Sequence, residues 1–67
     1  MDTVKIGKYI AGKRKALGMT QKQLAIQVGV SPSRISDYIS GRAEPTLKIA
    51  RLLCQILNIQ PAAMLGF

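Results

Sequence analysis

The sequence predicts an all-α fold with five short helices in one compact domain, residues 1–67. Apolar residues recur at helical spacing between capping residues and glycines, as a series of short helices requires. A chain of 67 residues has room for one small core and no second domain, and 48% hydrophobic residues are enough to fill it. The aromatic residues Tyr9, Tyr38 and Phe67 are too few for a sheet that stacks RNA bases.

The first helix should run from about Val4 to Leu17. Ile6, Ile10 and Leu17 share one side of this segment and can face the core. Gly18 follows directly and should end the helix.

Thr20 is a suitable N-cap for a second helix that continues to about Val28. Behind this cap, Leu24, Ala25 and Val28 recur at helical spacing and predict a buried face. Gly29 should then break the helix.

Single residues predict both ends of the third helix. Ser31 can cap it, with Pro32 at the first helical position, where a missing N–H costs nothing. Gly41 lies where a left-handed residue is wanted after the helix. Two short helices joined by a tight turn with glycine form the helix-turn-helix pattern, whose second helix enters the DNA major groove.

The fourth helix should begin after its N-cap Thr46, which follows Pro45, and run to about Leu57 or Asn58. Its predicted core face consists of Leu47, Ala50, Leu53, Cys54 and Leu57. A lone cysteine on such a face is best interpreted as a small buried apolar residue.

An additional apolar stripe on the fourth helix widens its apolar sector to about 220°. The stripe consists of Ile49, Leu52 and Ile56. It can pack under the fifth helix and the C-terminal residues, or it can form a self-complementary dimer interface. Both alternatives remain open from the sequence.

A short fifth helix should start at Pro61, because proline is favoured at the first helical position. It should bring Met64 and Leu65 back against the core, with Phe67 after them.

Taken together, these segments resemble the Cro/repressor (XRE-type) helix-turn-helix domain of phage repressors and small bacterial regulators. The resemblance covers Lys5 to Leu65. It depends on Gly18-Met19-Thr20-Gln21, Leu24-Ala25, Gly29-Val30-Ser31, Ile35-Ser36, Tyr38, Gly41 and Pro45-Thr46-Leu47. It implies a repressor-like fold in which helices 2 and 3 form the helix-turn-helix. It also implies a sequence-specific transcriptional regulator, a repressor that binds a palindromic double-stranded DNA operator as a homodimer.

The charge of the chain agrees with a nucleic-acid partner. Ten Lys and Arg residues against three acidic residues give a formal net charge of +7, which attracts polyanions. The alternative is that these basic residues only keep a small protein soluble.

The third helix offers candidates for reading bases. Ile35, Tyr38 and Ile39 cluster on its inward side. Its outward residues are Ser33, Ser36, Asp37 and Ser40. By resemblance, the base-reading positions are Pro32, Ser33 and Asp37, with Arg34 beside them.

The chemistry of these side chains fits base recognition. Ser33 can bond several bases, Asp37 can accept from a cytosine amino group, and Arg34 can bind a guanine. A carboxylate near phosphates is repelled unless it gains a specific donor. The alternative for Asp37 is therefore a local ion pair with Arg34 or another basic side chain.

Contacts to the phosphate backbone are expected around the motif, where they set affinity rather than sequence preference. The candidates are Lys13, Gln21, Lys22, Ser36, Ser40 and Arg42. Gln21 is the strongest of them, because the family motif places glutamine there for this purpose and its backbone N–H can also face a phosphate. The lysines can equally be solvated surface residues.

Arg14 marks a departure from the family pattern. By resemblance, an arginine here pairs with a glutamate at the position that Ile39 occupies. Because a buried unpaired guanidinium is costly, Arg14 needs another acceptor: a backbone carbonyl, Glu44 or a phosphate.

Several classes of protein are excluded on composition. Cys54 is the only cysteine and histidine is absent, so an intrachain disulfide or a Cys/His zinc site cannot form. Three scattered acidic residues and a core cysteine supply no general base or nucleophile pair, so we expect no enzyme, no cofactor and no metal. We also expect no signal peptide and no membrane partner, and hence a cytoplasmic protein of a bacterial cell or a phage-infected host.

The main alternative belongs to another functional class. A protein-interaction module, or an antitoxin-like regulator that binds DNA and a protein, can use the same fold. Purely protein-directed binding predicts weak, salt-insensitive binding to DNA.

Overall fold

The computed structural model describes residues 2–65, except for the side chain of Leu65. Five helices follow one another: α1 (Thr3–Ala16), α2 (Gln21–Val28), α3 (Pro32–Ser40), α4 (Leu47–Leu57) and α5 (Pro61–Leu65). The predicted all-α, five-helix fold is confirmed. The expected positions of Phe67 and of the Leu65 side chain lie outside the described residues.

The predicted N-caps are confirmed for three helices. The side chains of Thr20, Ser31 and Thr46 each accept a hydrogen bond from the backbone N–H three residues later. Asp2 caps α1 by accepting from the N–H groups of Val4 and Lys5, both at 3.1 Å. α1 therefore begins at Thr3, one residue earlier than predicted, and it ends at Ala16, which is also one residue earlier.

A left-handed residue lies at the C-cap of α2, α3 and α4 and directly after the C-cap of α1, and the turn between α2 and α3 shows why. Gly29 has φ 86°, a region that a Cβ disfavours. In this conformation Gly29 and Val30 both donate to the Ala25 carbonyl, at 2.8 and 3.1 Å. Three residues therefore suffice to turn the chain into α3. Asn58 takes the same role after α4, with φ 55°.

The core lies between all five helices. Its buried members are Ile6, Ile10, Leu24, Ala25, Val28, Ile35, Tyr38, Ala50, Leu53, Cys54, Leu57, Ile59 and Met64. Met64 confirms the predicted return of α5 to the core. Burial raises the pKa of the Cys54 thiol, which therefore stays protonated at neutral pH.

A close approach of two helix backbones positions α3. A Cβ added at Gly7 of α1 would lie 2.7 Å from the carbonyl oxygen of Tyr38 and closer still to that of Ile39. Only a glycine allows α1 to lie this near the C-terminal half of α3. The sequence patterns did not indicate this contact.

The additional apolar stripe on α4 divides into two parts. Ile49 and Ile56 are half-buried and pack against the core cluster. Leu52 is also half-buried, but it is not among the residues packed on that cluster. It lies with Leu47 along a shallow groove on the surface of α4.

Candidate nucleic-acid interface

The two faces of α3 are as predicted. Ile35 and Tyr38 are buried and Ile39 is half-buried against the core. The side chains at the predicted base-reading and flanking positions Pro32, Ser33, Arg34, Ser36 and Ser40 are exposed. α3 thus presents a polar surface while α1 and α2 hold its other side.

Asp37 is half-buried at the edge of this surface. Among residues 2–65, neither a hydrogen bond nor an ion pair joins its carboxylate to another residue, so the local pairing with Arg34 is not formed. Its backbone carbonyl accepts from the N–H groups of Arg42 and Ala43, at 3.0 and 3.3 Å. The carboxylate itself therefore remains available to a donor outside the chain.

The start of α2 leaves two N–H groups open. Thr20 and Gln23 cap each other reciprocally: the Thr20 Oγ1 accepts from the Gln23 N–H at 3.0 Å, and the Gln23 Oε1 accepts from the Thr20 N–H at 2.8 Å. The N–H groups of Gln21 and Lys22 precede any intrahelical acceptor. No acidic residue lies in this first turn to offset the helix dipole, so the end suits a phosphate.

Gln23 is a residue that the sequence reasoning missed. The spacing of Thr20 and Gln23, with the glutamine three residues after the N-cap, is a capping-box signal that would have found it. Its side-chain oxygen is committed to the cap, whereas the half-buried Gln21 side chain makes no hydrogen bond within the described residues.

The remaining predicted phosphate contacts differ in what they can offer. Lys13, Lys22, Arg42 and Ser36 are exposed. The Ser40 hydroxyl, by contrast, donates to the Asp37 carbonyl at 3.1 Å. A phosphate would have to displace that bond, because the hydroxyl has one proton to donate.

Arg14 finds one of its three proposed acceptors. Its Nη1 donates to the carbonyl oxygen of Met19 at 2.8 Å, which ties the end of α1 to the residue before the α2 cap. Its Nε is buried and has no hydrogen-bond partner in the described part of the chain. The backbone bond thus satisfies part of the guanidinium, and a buried donor is left over.

We predict that Ile39→Glu raises the melting temperature, because a carboxylate at the family position can accept from the Arg14 Nε. A hydrogen bond to a charged group is worth about 1.5–3 kcal/mol, which exceeds the loss from a half-buried isoleucine. Thermal melts of the wild type, Ile39→Glu, Arg14→Ala and the double variant complete a double-mutant cycle. Absence of coupling between the two positions would rule out the restored pair.

The chain matches a family model described as helix-turn-helix over residues 10–63. It is 36% identical over 55 residues to the putative multi-protein-binding factor 1 of Yarrowia lipolytica, covering 82% of this chain and 36% of that protein. It is 43% identical over 47 residues to the human endothelial differentiation-related factor 1, covering 70% of this chain and 32% of that protein. The multiprotein-bridging factor 1 of Candida albicans is 37% identical over 57 residues, which are 85% of this chain and 38% of that protein. No solved structure matches the chain significantly.

These matches confirm the resemblance to the helix-turn-helix family, but they do not support every other prediction made from it. The chain spans about a third of the length of the curated relatives that it matches. Those relatives come from yeasts and vertebrates, so they do not support the predicted bacterial or phage origin. Neither the family nor the names of these relatives denote an enzyme. Within residues 2–65, no helix has the length and apolar character needed to span a bilayer.

Proposed function

Because the chain belongs to the helix-turn-helix family, we propose that it binds double-stranded DNA in transcription regulation, with α3 in the major groove. The observation that carries the proposal is the exposed polar face of α3 beside the open N-terminus of α2. In this fold class the first helix of the pair crosses the backbone while the second meets the bases.

The two helices have different tasks in this proposal. The N–H groups of Gln21 and Lys22 bind a phosphate and fix the position of the domain, with exposed cations such as Lys13 adding affinity. Ser33, Arg34 and Asp37 then meet base edges in the groove, where hydrogen bonds discriminate sequence. The net charge of +7 draws the domain to DNA before any specific contact forms.

Asp37→Ala should change the preferred base at one position of the bound site and cost about 1–3 kcal/mol at the favoured sequence. Binding to random DNA should hold or improve, because a negative charge near phosphates is removed. Selection of bound sequences from a random duplex library measures the preference, and titrations measure the affinity.

Lys13→Ala is the contrasting variant. It should weaken binding to all sequences alike. If one phosphate contact is lost, the slope of log affinity against log salt concentration should become less steep by about one. Equal losses on specific and random duplexes with Asp37→Ala, without a shift in base preference, would contradict the reading role of Asp37.

Homodimeric repression of a palindromic operator stays a prediction. In the single chain, Ile49 and Ile56 already pack on the core cluster. Leu52 is therefore the stripe residue best able to contact a second copy of the chain. The names of the relatives speak of binding or bridging proteins rather than of repression. Sedimentation of the chain with and without a duplex, and with Leu52→Glu, tests the dimer.

A second candidate function is contact with a protein partner. It is favoured by the printed names of the relatives, multi-protein-binding and multiprotein-bridging factor. The two functions are compatible, because α3 and α4 present different surfaces. Weak duplex binding that does not respond to salt would leave the protein partner as the main function.

A further inference from the structure

Half of the ten cationic residues of the chain lie on α1, which contains no acidic residue. Four exposed residues of α1 fall within an arc of about 80° at 100° per residue. They form the α1 lysine face, which consists of Lys5, Lys8, Gly12 and Lys15. The opposite side of the helix carries Ile6 and Ile10, which are fully buried in the core.

Gly12 is the member of the α1 lysine face that the fold itself does not explain. A glycine inside a helix costs about 0.5–1 kcal/mol relative to alanine. At Gly7 this cost has a reason, because carbonyl groups of α3 lie against the helix there. Apart from the backbone of α1, no atom of the described residues lies within 4 Å of a Cβ added at Gly12. The missing side chain therefore leaves space between the lysines for a ligand to approach the helix backbone.

The chemistry of the α1 lysine face fits a phosphate backbone better than a protein surface. Within its arc α1 has no apolar side chain, whereas protein interfaces depend on buried aromatic or aliphatic anchors. Lysine ammonium groups bind phosphates as point charges. From Lys5 to Lys15 the helix rises by about 15 Å, and the same length of duplex DNA carries roughly nine phosphate charges. A second copy of the chain would instead bring lysines against lysines.

The α1 lysine face and the exposed face of α3 point in different directions. α1 packs on α3 where Gly7 lies against the carbonyls of Tyr38 and Ile39, both on the inward side of α3. The centre of the lysine face lies about 120° around α1 from Gly7. The molecule measures only 28 × 22 × 19 Å, whereas the persistence length of DNA is about 50 nm. A duplex held by α3 therefore cannot bend around the domain to these lysines.

We propose that the α1 lysine face binds the phosphate backbone of a second DNA duplex, so that one domain holds two duplexes at once. Lys5, Lys8 and Lys15 pair with phosphates, and the strand lies over Gly12. This binding depends on charge and not on base sequence. The inference goes beyond the proposed function, because the α1 lysine face binds a duplex whether or not α3 is occupied.

The experiment uses two duplexes of 20 base pairs, one with a donor fluorophore and one with an acceptor, at low salt. At one chain for every two duplexes, energy transfer between the fluorophores should appear. Sedimentation should show a complex of one chain with two duplexes. With three lysines on phosphates, the log affinity for the second duplex should fall with log salt concentration at a slope of about −3.

Lys5→Gln/Lys8→Gln should weaken binding of the second duplex at least tenfold and make its salt slope less steep by about two. A matched variant, Lys48→Gln/Arg51→Gln, makes the same change in net charge at exposed residues of α4. It should keep the energy transfer. Gly12→Leu leaves the charge unchanged and should weaken the second duplex at least fivefold, because its side chain fills the space between the lysines.

Three results would overturn the proposal. These are equal losses in the two double variants, two chains in the complex that bridges the duplexes, and displacement of the second duplex by polyglutamate at equal charge. The first result would mean attraction by net charge alone, the second a dimer, and the third a site for acidic proteins as much as for DNA.

Failure of this inference and failure of the proposed function give different patterns of amide shifts. With duplex in excess, both α3 and residues 5–15 of α1 should shift. Shifts on α1 without shifts on α3 would support the α1 lysine face and contradict the proposed function. Shifts on α3 alone would support the proposed function and contradict the α1 lysine face. Ser33→Glu should remove the α3 shifts and the energy transfer but keep the α1 shifts.

Discussion

Gly7→Ala should lower the free energy of unfolding by about 3 kcal/mol, because the new methyl group would meet the backbone carbonyls of α3 rather than a side chain that can move. The helices α1 and α3 would have to separate. A domain of this size is stabilised by roughly 5 kcal/mol, so the loss should be visible as a large drop in denaturation midpoint. Chemical denaturation followed by circular dichroism measures it.

Gly12→Ala is the matched control within the same helix. A Cβ at Gly12 would meet no atom within 4 Å, so the substitution only replaces a flexible residue by a better helix former. We expect a gain of about 0.5–1 kcal/mol. If Gly7→Ala were neutral or stabilising like Gly12→Ala, the close crossing of α1 over α3 would be wrong.

Ser33→Glu should separate stability from DNA binding. The residue is exposed in the first turn of α3, which contains no acidic residue, so a carboxylate there should stabilise the helix by about 0.3–1 kcal/mol. In the proposed complex the same carboxylate faces the major groove between phosphates. Duplex binding should therefore fall by roughly a hundredfold. Melting curves and fluorescence anisotropy with a labelled duplex measure the two effects.

Ala62→Glu makes the same change in net charge in the first turn of another helix. Ala62 is exposed on α5, which packs against α1 and α4. Its effect on duplex affinity should be at most about threefold, because only the overall charge changes. A similar loss of affinity in both variants would mean that α3 has no special role in DNA binding.

The helices of this fold were predictable because their ends depend on local chemistry. Thr20, Ser31 and Thr46 cap the N-termini as expected, and Gly29 and Gly41 end helices at positive φ. These features involve residues within a few positions of each other. The helical spacing of apolar residues likewise predicted most of the buried residues, but it was wrong for Leu17 and Leu47, which are 51% and 46% exposed at the ends of their helices.

The contacts between distant segments were not predictable in the same way. Nothing in the neighbourhood of Gly7 indicates that α3 carbonyls lie against it, and the pattern of α4 left the packing of Ile49 and Ile56 open. The acceptor of Arg14 could be narrowed to three candidates, and the geometry of the turn selected the Met19 carbonyl. Such choices depend on how the helices pack in three dimensions rather than on local propensity.

The sequence predicted which face of α3 forms the candidate DNA surface, but it did not predict every hydrogen bond there. The inward and outward sides of α3 follow from helical periodicity, which one sequence supplies. The Ser40 hydroxyl donates to the Asp37 carbonyl, whereas the Asp37 carboxylate has no partner in residues 2–65. Both facts depend on side-chain rotamers and on the turn after α3. Those details alter which side chains can bind phosphate.

A titration of the ¹⁵N-labelled chain with duplex DNA, followed residue by residue, tests most directly that α2 and α3 form the DNA-binding surface. We predict the largest amide shifts at Gln21, Lys22, Ser33, Arg34 and Asp37, fading as salt is added. The amides of α4 should stay unchanged. Shifts concentrated on α4, or no shifts at α3 at low salt, would contradict DNA binding through the helix-turn-helix.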